Sequence, residues 1–197
     1  MRKRIAVLFC RADSAYKDRD ACDVYDAKRD ARTFRGAMPV IAHPPCRCWG
    51  ALSHMAHRST PNREAVMLAE KQLAIWACGQ VRKCGGVLEH PAKSKLFKGW
   101  LPDVGDFPDS FGGYTIGVNQ WDFGHVASKP TKLYICGLPF DMLPDMPPRR
   151  EGTPSKSITG QVGNSGGRCT QYEREYTPEP LIDWLIEVCD RIAEGNQ

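Results

Sequence analysis

Two short apolar runs, each stopped by proline, bracket one long helix-forming stretch, and this limits the fold more than any other feature. Val40-Ile41-Ala42 leads into His43-Pro44-Pro45, and Val87-Leu88-Glu89 leads into His90-Pro91. Unbroken apolar runs without alternation suit strands covered on both faces, as in parallel sheets. Proline cannot donate to a sheet ladder, so each run ends in a stiff exit turn. Between them, Thr60-Pro61 is a start signal for a helix that carries Val66, Ala69, Leu73, Trp76 and Ala77 at helical spacing. Gly85-Gly86 closes it. A right-handed strand–helix–strand unit brings both strand ends to the same edge. The pattern therefore predicts a thiol, Cys46, and a carboxylate, Glu89, at one cleft.

The remaining elements extend the same plan. Ile5 to Phe9 reads as a first parallel strand, and Cys22 to Asp26 as a short second strand ending in a carboxylate. In nucleoside-binding α/β folds a carboxylate at that place holds a ribose hydroxyl, which makes Asp26 a cofactor candidate. Lys93 to Gly113 is rich in Gly, Pro and Asp and reads as a loop. Tyr114–Trp121 and Lys132–Gly137 read as an antiparallel pair, joined by a basic loop holding Lys129. Residues 138–160 form an irregular proline-rich excursion, and 178–193 a terminal amphipathic helix. The expectation is a single α/β domain over 1–197: a three-layer, mostly parallel sheet of reduced size.

Totals restrict the function classes. No apolar run approaches the roughly 20 residues of a membrane span. Ile5 to Cys10 is too short for a signal-peptide core, so a cytoplasmic protein with no membrane partner is expected. Nine cysteines form no framework, which favours reduced thiols. Lys and Arg exceed Asp and Glu by 27 to 23, and the excess gathers between Lys129 and Arg168, which permits nucleic-acid contact.

Taken together, these residues resemble the catalytic half of the cytosine-5 DNA methyltransferases, closest to a compact branch found in phages and prophages. Pro44-Pro45-Cys46 is similar to the family's Pro-Cys nucleophile loop. Glu89-His90-Pro91 stands where its Glu-Asn-Val motif follows the next strand. Phe123-Gly124-His125, Lys129, Lys132 and Tyr134-Ile135-Cys136-Gly137 resemble its later turn, basic residues and strand. Gly163-Asn164-Ser165 resembles its late Gly-Asn-Ser motif.

The resemblance implies an S-adenosylmethionine-dependent, Rossmann-like methyltransferase fold and DNA as partner. Cys46 would be the covalent nucleophile, and Glu89, kept protonated by burial, would donate to the cytosine ring. Pro45, His90, Lys129 and Lys132 would contact the substrate. Phe9, Asp13, Asp26 and Asn164 would hold the cofactor. The target base would be flipped out of the duplex.

The sequence also departs from the family. The loop Phe9-Cys10-Arg11-Ala12-Asp13-Ser14 has no glycine, His90 replaces an asparagine, and a strand or helix is missing after Asp26. The short span from Gly137 to Gly160 leaves no room for a target-recognition domain. A methyltransferase-derived protein without S-adenosylmethionine activity is the alternative: one that modifies another base or a nucleotide, or a DNA-binding or inhibitor protein. His43 and Cys46 supply neither the acidic acceptor nor the stacking ring of the amino-methyltransferase Pro-Pro-aromatic motif. His43, Cys46, Cys48, His54 and His57 are close in sequence, but Cys46-Arg47-Cys48 is a poor chelating pair, so this spacing assigns no metal.

Overall fold

The computed structural model describes residues 4–158 and 167–195. In chain order the elements are β1 (Ile5–Leu8), β2 (Cys22–Val24), β3 (Val40–Ala42), α1 (Arg63–Cys84), β4 (Gly86–Pro91) and β5 (Tyr114–Asn119). They continue with β6 (Ala127–Ser128), β7 (Pro130–Cys136), β8 (Lys156–Ser157), α2 (Gln171–Glu175) and α3 (Glu179–Gly195). Six strands form one sheet in the order β2-β1-β3-β4-β7-β5, and β6 pairs with β8 beside it. The β2-β1, β1-β3 and β3-β4 pairs are parallel. β7 runs antiparallel to both β4 and β5.

Alternation across the pleat sorts the apolar runs into two cores. Ile5, Val7, Ile41, Val87, Leu133 and Ile135 point to one face, where α3 brings Leu181, Leu185, Val188 and Ile192. Ala6, Leu8, Val40, Ala42 and Leu88 point to the other, against Ala74, Ala77, Cys78 and Val81 of α1. The expected three layers and mostly parallel sheet are present.

Several boundaries move, for local reasons. β1 stops at Leu8 because Phe9 adopts a left-handed φ of 60°. Thr60 does not cap α1: the N-cap is Asn62, itself left-handed, and Arg63 is the first helical residue. Of the residues predicted to face the core from α1, only Ala77 is buried, whereas Ala69 is exposed and Val66, Leu73 and Trp76 are half-buried. The buried set sits further along because the first half of the helix overhangs the sheet at its carboxyl edge. After Asp26, β2 is the sheet edge, and a single 3-10 turn, Ala31–Thr33, bridges to β3. No helix among the described residues is long and apolar enough to cross a membrane.

Candidate active site

Strand order turns in opposite directions from β1, to β2 on one side and β3 on the other. Ligands of open α/β sheets bind outside the carboxyl ends at such a switch point. A cleft of about 760 Å³ opens there. Its walls include Phe9, Asp13, Asp26, Pro45, Cys46, Glu89, His90 and Lys129, which are eight of the ten site residues predicted from sequence. Lys132 and Asn164 are the other two. Lys132 is tied elsewhere, in an ion pair with Asp103 and over the Phe97 ring at 5.1 Å. Asn164 lies outside the described residues.

Each side chain is placed by an element below it. Cys46 sits past β3 in a turn closed by the amides of Trp49 and Gly50, which both donate to its carbonyl at 3.0 Å. It is the single exposed cysteine of the chain. Desolvation in the crowded turn raises its thiol pKa, the Glu89 charge raises it further, and Lys129 opposes both. The resting group is therefore the thiol.

Glu89 ends the polar side of β4. His43 Nδ1 donates to its Oε2 at 3.2 Å, and Gln120 Nε2 donates to Oε1 at 3.1 Å. The Tyr16 hydroxyl lies 3.1 Å from His43 Nε2, so the ring bridges the phenol and the carboxylate. Burial pulls the carboxyl upward, but the His43 hydrogen bond and the Lys129 charge outweigh it and hold it at about 2. The expectation of a protonated Glu89 is thus corrected. Its pocket is not apolar but lined with donors, and it stabilises the carboxylate.

His90 is buried beneath the Pro44–Pro45 turn, with Nδ1 on Ser94 Oγ at 2.7 Å. Desolvation lowers its pKa to about 4. Lys129 donates to the Tyr176 carbonyl at 2.9 Å, and burial lowers its pKa against the pull of Glu89 and Cys46.

On the β1–β2 side, Asp13 accepts two hydrogen bonds from Arg11, at 2.9 and 2.8 Å. Asp26 is bound by Lys17 at 2.6 Å and by the amides of Lys28 and Arg29, which lowers its pKa to about 2, the Lys17 contact first.

Sequence reading missed Tyr16 and Gln120, the Glu89 role of His43, and the wall made by α2. There Tyr172 and Tyr176 stack at 6.1 Å, and Arg11 lies over the Tyr172 ring at 4.3 Å. The capping box of Thr170 and Glu173 was a readable signal for this helix. Nothing in the sequence marks Gln120, which reaches Glu89 only because β5 and β7 form a hairpin.

Two cations of the basic stretch are paired from within, and a third is stacked but keeps its charge. Lys132 pairs with Asp103, Lys156 with Glu173 at 2.5 Å, and Arg150 stacks on Trp121 at 3.8 Å. The cysteine–histidine group of the sequence also divides. His43 turns to Glu89, Cys46 to the cleft and His54 to solvent, whereas Cys48 and His57 converge on Glu70. No protein family, curated protein or solved structure matches this chain.

Proposed function

We propose that the chain modifies a cytosine through a covalent Cys46 adduct, as a reduced cytosine-5 methyltransferase with DNA as substrate. The observation that carries this reading is the meeting of Cys46, Glu89 and Lys129 in one cleft at the strand ends.

The charges supply an order of events. As Sγ bonds to ring carbon 6, the Cys46 thiol proton passes by way of the Glu89 carboxylate, which is not left protonated. The carbon 5–carbon 6 π electrons shift to form a double bond between carbons 4 and 5, and the former carbon 4–nitrogen 3 π pair moves onto nitrogen 3. Nitrogen 3 takes up the proton from Glu89, so the ring stays neutral and carbon 5 becomes nucleophilic. Once carbon 5 has received its methyl group, loss of the carbon 5 proton to solvent restores the carbon 5–carbon 6 double bond as Sγ leaves carbon 6, and the nitrogen 3 proton returns to the Cys46 thiolate. His43 and Gln120 fix the carboxylate throughout, and Lys129 limits the charge around the thiolate.

The donor set of the β1–β2 wall suits S-adenosylmethionine. Asp13, paired with Arg11, and Asp26, paired with Lys17, would accept from a cationic, hydroxyl-bearing ligand by exchanging those partners, and Arg11 would then be released toward its carboxylate. Phe9 gives the left-handed turn after β1 for which glycine is the usual residue, and its ring is held edge-on to Trp76 at 6.0 Å. When bound, this group supplies an electrophilic methyl for carbon 5.

A free nucleotide is the second reading, favoured by the internal pairing of Lys132 and Lys156, which leaves fewer cations for a duplex backbone. Thermal unfolding with and without S-adenosylmethionine tests the cofactor. Ligand at about 100 times its dissociation constant stabilises by roughly 2.7 kcal/mol. No shift at millimolar ligand overturns the methyl-donor reading. Labelled methyl transfer to cytosine in DNA or in nucleotides then identifies the substrate. Cys46→Ala should abolish transfer with folding intact, and transfer at the wild-type rate would sink covalent catalysis.

A further inference from the structure

The turn after Cys46 does not run straight into α1. It folds back along the overhanging half of that helix, and Arg63 holds it there by donating to the carbonyls of His54 at 2.7 Å and Ala56 at 2.8 Å. The return brings Cys48 and His57 against Glu70, nearly two turns into α1. One donor atom from each of the three lies within 4.8 Å of the other two.

Several features of this trio exceed what packing requires. Cys48 is buried, at 1% exposure. His57 holds a left-handed φ of 54°, a conformation with a cost for a residue with a Cβ. Glu70 Oε2 meets His57 Nε2 at 2.6 Å, yet its Oε1 is buried and has no hydrogen-bond partner. An unpartnered buried carboxylate oxygen beside a thiol and an imidazole is a costly arrangement for a protein interior.

We infer that Cys48, His57 and Glu70 bind a zinc ion, with water in the fourth position. One thiolate, one neutral imidazole and one carboxylate supply two negative charges, which a divalent cation neutralises. A sulfur–nitrogen–oxygen set selects zinc over the hard cations magnesium and calcium. Binding releases the Cys48 proton and replaces the His57–Glu70 hydrogen bond with two metal bonds. Those two ligand atoms then open from 2.6 Å to about 3.3 Å, the separation set by tetrahedral bonds of roughly 2.0 Å. This is a side-chain adjustment. Because Cys48 lies two residues beyond Cys46, the ion fastens the nucleophile turn to α1. The role is positional and separate from the proposed methyl transfer.

The test uses cobalt as a spectroscopic stand-in, on full-length, reduced protein stripped with chelator. One cobalt per chain should bind, with a thiolate charge-transfer band and the intense visible bands of a tetrahedral site, and zinc should displace it. Cys48→Ser should remove the charge-transfer band. His57→Gln and Glu70→Gln should weaken binding by roughly tenfold or more. Cys46→Ala should leave the spectrum unchanged. Glu70→Gln keeps the side-chain shape, and a matched far-UV circular dichroism spectrum shows that it is folded. Absence of stoichiometric cobalt binding overturns the inference. So does a charge-transfer band that survives Cys48→Ser or vanishes in Cys46→Ala, or a folded Glu70→Gln protein that binds as tightly as wild type. None of these readouts involves S-adenosylmethionine or turnover, so they fail or succeed independently of the proposed activity.

Discussion

The Glu89 charge helps to set the protonation state of Cys46. The carboxylate is held near 2 by His43 and Lys129, and its charge is one cause of the raised Cys46 thiol. Removing that charge should lower the thiol pKa and enlarge the thiolate fraction at neutral pH. Glu89→Gln is therefore expected to speed alkylation of Cys46 by iodoacetamide near pH 7.5, read by peptide mass mapping; a slower rate contradicts the coupling. His90 gives a pH signature of a different kind. Its pKa falls from 6.5 to about 4 on folding, so the unfolded chain binds more protons between those values. Stability contributed by the neutral ring is present above pH 6.5 and is lost as pH falls toward 4, on the order of 3 kcal/mol in all. Urea unfolding should show stability falling less steeply between pH 6.5 and 4 in His90→Gln than in wild type. An unchanged acid dependence in the variant would assign the loss to other groups.

Among the elements, the strands were legible because β1, β3 and β4 are apolar runs with clear stops. Cys46 and Glu89 could be assigned to one edge for the same reason. The start of α1 was misread: Thr60 and Pro61 look like a cap and first turn, but the chain passes them inside the fold-back that Arg63 secures. Tyr16 and Gln120 were illegible for another reason. Their meaning depends on contacts across 27 and 31 positions of chain, with His43 and Glu89, and no local pattern encodes those. The α1–β4 junction also carries a strict requirement. Gly86 has φ +135°, and a Cβ there would stand 2.0 Å from the Val40 carbonyl oxygen, a backbone atom of β3. Gly86→Ala should destabilise by about 3 kcal/mol or more, measured by denaturant midpoint at constant m-value. A loss below about 1 kcal/mol would mean that β3 and β4 can separate without penalty.

At the scale of the molecule, one sheet serves two cores, so neither helix layer can leave without exposing the other side of the same strands. Val81 on α1 and Leu185 on α3 are both fully buried, on opposite faces. Truncating either to alanine should lower the midpoint of one shared transition, with Leu185→Ala costing roughly 2–5 kcal/mol. Circular dichroism and tryptophan fluorescence should then report coincident curves, and separated curves in either variant would show that the layers unfold apart.

The reversed direction of β7 has a practical consequence. Parallel strands deliver Cys46 and Glu89 to the cleft as the chain leaves the sheet, whereas Lys129 arrives as the chain enters it at Pro130. Both directions of travel are thus spent on one rim, whereas the opposite rim carries the partly exposed run from Arg35 to Met38 before β3. A reporter peptide spliced into that run, or a surface tether fixed there, would hold the protein with its cleft facing outward.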